Sequence, residues 1–84
     1  MKKVEAPELR TLVEAGVVRS VTLVADGRSW YVILDLGATE RVLGSQRRHR
    51  RTFKDLNKLV ALLRDLGIGT FRIDATHYAG QQAA

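Results

Sequence analysis

Apolar residues along the chain follow two spacings, one near the helical period of about 3.6 residues and one that alternates. Leu9, Leu12 and Val13 lie at i, i+3 and i+4 within Pro7–Gly16 and predict a short amphipathic helix. Proline suits the first helical turn, where its missing N–H is no loss, and Gly16 can take a left-handed conformation past the end. Leu56, Leu59, Val60, Leu62, Leu63 and Leu66 form a broader stripe and predict a second helix, stopped by Gly67. Thr52 is the expected N-cap of that helix, with Asp55 three residues on in a shortened capping-box arrangement.

Between the helices the spacing alternates. Val18–Ala25 and Ser29–Leu36 read as two strands around Asp26-Gly27, a strong two-residue hairpin signal. A loop made of those two residues sets Leu23 opposite Trp30, Val21 opposite Val32 and Arg19 opposite Leu34. The other face then pairs Thr22 with Tyr31, Ser20 with Ile33 and Val18 with Asp35. The first face is the more apolar and is expected to meet the helices. The second still carries Val18, Val24, Tyr31 and Ile33, more apolar surface than a fully solvated face needs. Back-to-back packing of two sheets makes those four residues a candidate homodimer interface.

Gly37-Ala38 turns the chain into a third strand, Thr39–Ser45, and Ser45–Arg51 is a polar, basic connection. A last strand places Phe71 and Ile73 in alternation with Thr70, Arg72 and Asp74. The expected order is α-β-β-β-α-β, an α+β fold in a two-layer α/β sandwich. Its mostly antiparallel four-stranded sheet carries both helices on one face. Residues 1–78 are expected to form a single domain, with 79–84 as a flexible polar tail that begins to fray from Thr76.

Composition narrows the chemistry. At 84 residues, with 45% hydrophobic and 27% charged, the chain has the balance of one globular domain. There are no cysteines, which removes disulfides, thiolate metal sites and cysteine nucleophiles together and fits a reducing, cytoplasmic setting. Met1-Lys2-Lys3-Val4-Glu5-Ala6-Pro7 has no apolar core for a signal peptide. No run approaches the roughly 20 apolar residues of a membrane span, so no membrane partner is expected.

Fourteen Lys and Arg against nine Asp and Glu give a net charge of +5. Arg47, Arg48, Arg50, Arg51 and Lys54 fall within one acid-free segment, and the rest of the chain is balanced. That is the footprint of a polyanion site rather than of general solubility. The segment also enters the second helix at its N-terminus, where the helix dipole disfavours cations and a bound phosphate would reverse the penalty. These five residues are the candidate nucleic-acid-binding set, with arginine forks suited to phosphate. The plainer alternative is a solvated loop.

Other constellations carry less. His49 is a solvated neighbour of the arginines, and neither it nor His77 has partners at metal-ligand spacing, so no metal or other cofactor is expected. Asp35 and Glu40 can face each other across the Gly37-Ala38 turn, yet strand ends normally carry solvated carboxylates. No catalytic serine motif, phosphate-binding glycine loop or dinucleotide fingerprint occurs, and no catalytic residue is assigned.

Several short stretches together resemble the partition-associated ParC family of plasmids and integrative elements (not the topoisomerase subunit of that name). They are Leu12-Val13-Glu14-Ala15-Gly16, Thr39-Glu40-Arg41, Ser45-Gln46-Arg47, Leu63-Arg64-Asp65-Leu66-Gly67-Ile68 and Asp74-Ala75-Thr76-His77-Tyr78. The resemblance implies a non-enzymatic accessory role in maintaining mobile DNA and assigns no binding residues. With the basic segment it leads to the expectation of a DNA-binding accessory protein. Two other readings stay open. One is an interaction module whose basic segment docks an acidic partition or replication protein. The other is a double-stranded RNA-binding module, whose late helix also starts with basic residues.

Overall fold

The computed structural model describes residues 1–80. The order is β1 (Lys2–Val4), α1 (Ala6–Glu14), β2 (Ser20–Asp26), β3 (Ser29–Asp35), β4 (Glu40–Leu43), α2 (Leu56–Asp65) and β5 (Arg72–Asp74). The strands form one sheet in the order β1-β4-β3-β2-β5. β2–β3 and β3–β4 are antiparallel, while β1 lies parallel to β4 and β5 parallel to β2.

This is the expected α+β class with a different sheet. It has five strands and is mixed, where four mostly antiparallel strands were expected, and a strand precedes the first helix. The third strand is also shorter than Thr39–Ser45, because the chain leaves the ladder after Leu43. Two strand–helix–strand crossovers result, β1-α1-β2 and β4-α2-β5, each moving the same way across the sheet. Crossovers of one hand that step in one direction place their helices on the same face. Leu9 of α1 and Leu59 and Leu63 of α2 accordingly share one core with Val4, Val21, Leu23, Val32, Leu34 and Leu43.

The hairpin register differs from the expected one by two residues. Leu23 lies opposite Val32, Val21 opposite Leu34, Thr22 opposite Ile33 and Ser20 opposite Asp35. Asp26 pairs with Ser29, so the loop is Gly27-Arg28 instead of Asp26-Gly27. Gly27 has φ +66° and no non-glycine residue among the described residues has positive φ, so only the first loop position has φ > 0, as in a type II′ turn. Side chains alternate with period two, so the shift left every side chain within β2 and β3 on its expected face.

Val18 is the exception among the four candidate interface residues. It precedes β2, where strand alternation does not reach, and packs against the helix-side core.

Candidate functional site

The basic segment is shaped by an interruption in a strand. β4 pairs with β3 through Val42 opposite Ile33, and the same line resumes where Phe53 pairs with Trp30. Phe53 donates its N–H to the Trp30 carbonyl and accepts the Trp30 N–H, both at 2.8 Å. Between these points the chain buckles out of the sheet. Gly44 N–H bonds the Val4 carbonyl, Ser45 N–H bonds the Arg48 carbonyl, and Arg51 N–H returns to the Leu43 carbonyl. Ser45 Oγ also accepts the Arg48 N–H at 3.2 Å, and Lys3 Nζ donates to the Ser45 carbonyl at 2.6 Å. The carbonyls of Arg48 and His49 cross so close over Gly44 that no Cβ fits there.

The loop lies against the sheet face away from the helices. Arg50 stacks on Tyr31, 4.1 Å above the ring centroid, and pairs with Asp26 at 2.8 Å. His49 donates from Nε2 to the Met1 carbonyl at 2.7 Å, which fixes the proton on that nitrogen. Together with Met1, Ile33 and Val42 these side chains line an open outer-face depression of ≈ 320 Å³. Val42 is only 3% exposed as a result. The loop therefore covers part of the face that suggested back-to-back pairing. Val24, Tyr31 and Ile33 do lie on it, half-buried, and Val18 does not.

The five candidate cations have unequal fates. Arg50 is engaged by Asp26 and Tyr31. Arg51 stacks on Phe53 at 4.7 Å, leaving its guanidinium edge free to donate. Arg47, Arg48 and Lys54 are exposed, and with Arg51 they form no ion pair among the described residues.

The expected helix cap was misplaced. Asp55, not Thr52, is the N-cap, and its Oδ1 accepts the N–H groups of Asn57 at 2.9 Å and Lys58 at 3.3 Å. The two bonds between Phe53 and Trp30 hold residues 52–54 extended and delay the helix. The arginines thus lie before the helix and outside its first turn. Two of its N-terminal amides, those of Asn57 and Lys58, are already met by the Asp55 carboxylate, so the helix N-terminus is not available to the candidate basic segment as expected.

A second cationic element lies across the hairpin turn. Asp74 Oδ1 accepts the Thr76 N–H at 3.0 Å and hydroxyl at 2.6 Å, folding residues 74–78 into a tight turn. Those hydrogen bonds from Thr76, helped by the nearby His77, hold the Asp74 carboxyl below its ordinary value of 3.8. Gly27 then donates to the His77 carbonyl and accepts from Ala79, each at 2.9 Å, which straps the segment onto the hairpin. The expected fraying from Thr76 is not what these bonds describe. The remainder of the tail, residues 81–84, lies outside the described residues. The strap sets Tyr78 against Trp30, with ring centroids 5.5 Å apart and planes tilted by 33°. Beside this pair is an open pocket of ≈ 530 Å³ lined by Arg28, Trp30, Lys54, Leu56, Tyr78 and Gly80.

Arg28 and Tyr78 were not among the expected site residues. The signal for Tyr78 was present in Asp74-x-Thr76, a spacing that favours a side-chain-capped turn over a free tail. Asp35 and Glu40 do pair across β3 and β4, and Asp35 Oδ1 accepts the Gly37 N–H at 2.7 Å, closing the turn. No helix among the described residues is long and apolar enough to cross a membrane.

A family model described as ParC-like matches residues 4–82. No curated protein and no solved structure matches the chain.

Proposed function

The chain belongs to the ParC-like family, and on that premise we propose that it is a non-enzymatic accessory protein of mobile-DNA maintenance that binds DNA through its basic loop. The observation that carries this reading is a set of cations without an acidic partner among the described residues, exposed Arg47, Arg48 and Lys54 with half-buried Arg51, on a loop pinned to the sheet. Charges held on a fixed backbone lose less freedom on meeting a phosphate than charges on a loose tail. Phosphate contacts of this kind set affinity and register and carry little sequence information. DNA of many sequences is therefore the expected ligand.

Four phosphates neutralised give a slope of about −4 in log K against log salt. Titrating a duplex at several salt concentrations measures it, and a flat response would remove the reading. The same titration with double-stranded RNA separates a DNA preference from general polyanion binding. If Arg48→Glu with Arg51→Glu abolishes co-purification with an acidic partition or replication protein while DNA never binds, the loop is a protein-docking element instead.

A further inference from the structure

We propose that the pocket beside Trp30 and Tyr78 takes an unpaired nucleobase, with its phosphate held by Arg28 and Lys54. The inference rests on the DNA reading above and adds a ligand class to it. Tyr78 is 53% exposed although it is one of the largest apolar side chains in the chain, and the strap from Asp74 to Ala79 keeps it in place. Its ring, backed by Trp30 and flanked by Leu56, gives the pocket an aromatic and apolar wall. Arg28 and Lys54 also line the pocket, and no acidic residue among the described residues does. Neither cation forms an ion pair among the described residues.

A pocket lined by aromatic and apolar side chains together with unpaired cations selects a flat, anionic ligand. A nucleotide supplies both parts, and the ≈ 530 Å³ lies within the range of small-ligand sites of about 300–1,000 Å³. A base inside a duplex cannot reach such a wall, because both its faces are stacked. An unpaired base at a strand end or tail can, and stacking on an aromatic ring tolerates any base identity. Lys54 belongs to both the loop and the pocket, so a tailed duplex can touch the two together. The pocket would then direct a loop that grips any DNA toward ends and single-stranded gaps.

The experiment compares a blunt duplex with one of equal phosphate count that carries a short unpaired tail. The tailed DNA is expected to bind about tenfold tighter, the scale of one stacked base. Tyr78→Ala should erase that difference and leave blunt-duplex binding unchanged, while Tyr78→Phe, which keeps the ring and the packing on Trp30, should preserve it. Trp30 is the only tryptophan, so its fluorescence reports on the pocket directly. Deoxyadenosine monophosphate should quench it, with deoxyadenosine or inorganic phosphate much weaker, and Arg28→Gln should weaken the nucleotide. Equal affinity for blunt and tailed DNA would overturn the inference and leave the DNA reading standing. If neither DNA binds, the DNA reading fails. Quenching by the mononucleotide that Tyr78→Ala removes would then identify a free-nucleotide site, and no quenching would end the proposal in either form.

Discussion

Replacing Gly44 by alanine tests whether the basic loop is pinned as described. The new Cβ would fall 2.5 Å from the His49 carbonyl oxygen and 2.8 Å from that of Arg48. Both are far inside the contact distance of about 3.5 Å, and both belong to backbone that cannot swing aside as a side chain can. A third contact, Lys3 Cδ at 2.8 Å, is the flexible end of a side chain and yields cheaply. Relieving the clash means lifting the Arg48–His49 peptide, which breaks the Ser45 N–H bond to the Arg48 carbonyl and strains the Arg51 return to Leu43. Overpacking costs about 1–3 kcal/mol and the lost hydrogen bond about 1 more. For a domain of this size that lowers Tm by about 8 °C or more.

Gly69→Ala is the matched control, since its φ is not left-handed and a Cβ there meets nothing within 4 Å. It should be neutral or stabilising by about 0.4–1 kcal/mol, through reduced freedom of the unfolded chain. Thermal unfolding of both variants gives the comparison. Amide exchange at Arg51 should accelerate in Gly44→Ala and stay unchanged in Gly69→Ala. A Gly44→Ala protein that melts with the parent and keeps Arg51 protected would refute the pinned loop. The fixed presentation of Arg47 and Arg48 would fall with it.

Asp55→Ala removes the cap of α2 and should cost about 1 kcal/mol in urea unfolding, while Thr52→Ala should cost almost nothing. Asp74 is ionised more readily in the folded chain than in the unfolded one, so its contribution is present above pH 3.8 and is lost as pH falls through its lower folded value. Trp30 fluorescence should report the Tyr78 strap loosening in that acid window, and Asp74→Ala, which removes the acceptor of both Thr76 hydrogen bonds, should show the loosened signal already at neutral pH. Asp26→Asn frees Arg50 for phosphate and should steepen the salt slope by about 0.9. An unchanged slope would mean that Arg50 already contacts DNA or never does. Because the loop covers part of the outer face, sedimentation is expected to give a monomer, and a dimer split by Ile33→Lys would restore back-to-back pairing.

The elements that were legible in the sequence are those with a local cause. The leucine spacing of α2, the proline-led α1 and the apolar alternation of β2 and β3 each arise within a few neighbouring residues. β1 has no such cause. Lys2-Lys3-Val4 offers one apolar residue, and its strand conformation comes from pairing with Arg41–Leu43, far along the chain. Thr52 and Asp55 are both good capping residues, and the choice between them is made by Trp30, which holds Phe53 in the sheet line. In the hairpin the Asp-Gly signal located the turn but not which residues bridge it. The faces still came out correctly, because a slip of two residues cannot exchange them.

The charge of the candidate site was legible in the sequence and its geometry was not, for a related reason. Counting charge along the chain treats each acid outside Gln46–Lys54 as cancelling some cation outside it. Asp26 instead reaches across the hairpin end to neutralise Arg50, a member of the basic segment. Arg28, which the count had balanced away, is carried by the same turn to the pocket beside Lys54. The excess of positive charge is thus preserved while its members change, with Arg28 replacing Arg50. A phosphate backbone responds to where charges stand within about a Debye length, roughly 8–10 Å, and not to their order in sequence. The hairpin turn therefore decides more about this surface than the arginine run itself. It supplies the acid that removes one cation and the cation that takes its place, and through Gly27 it anchors the strap that sets Tyr78 beside them.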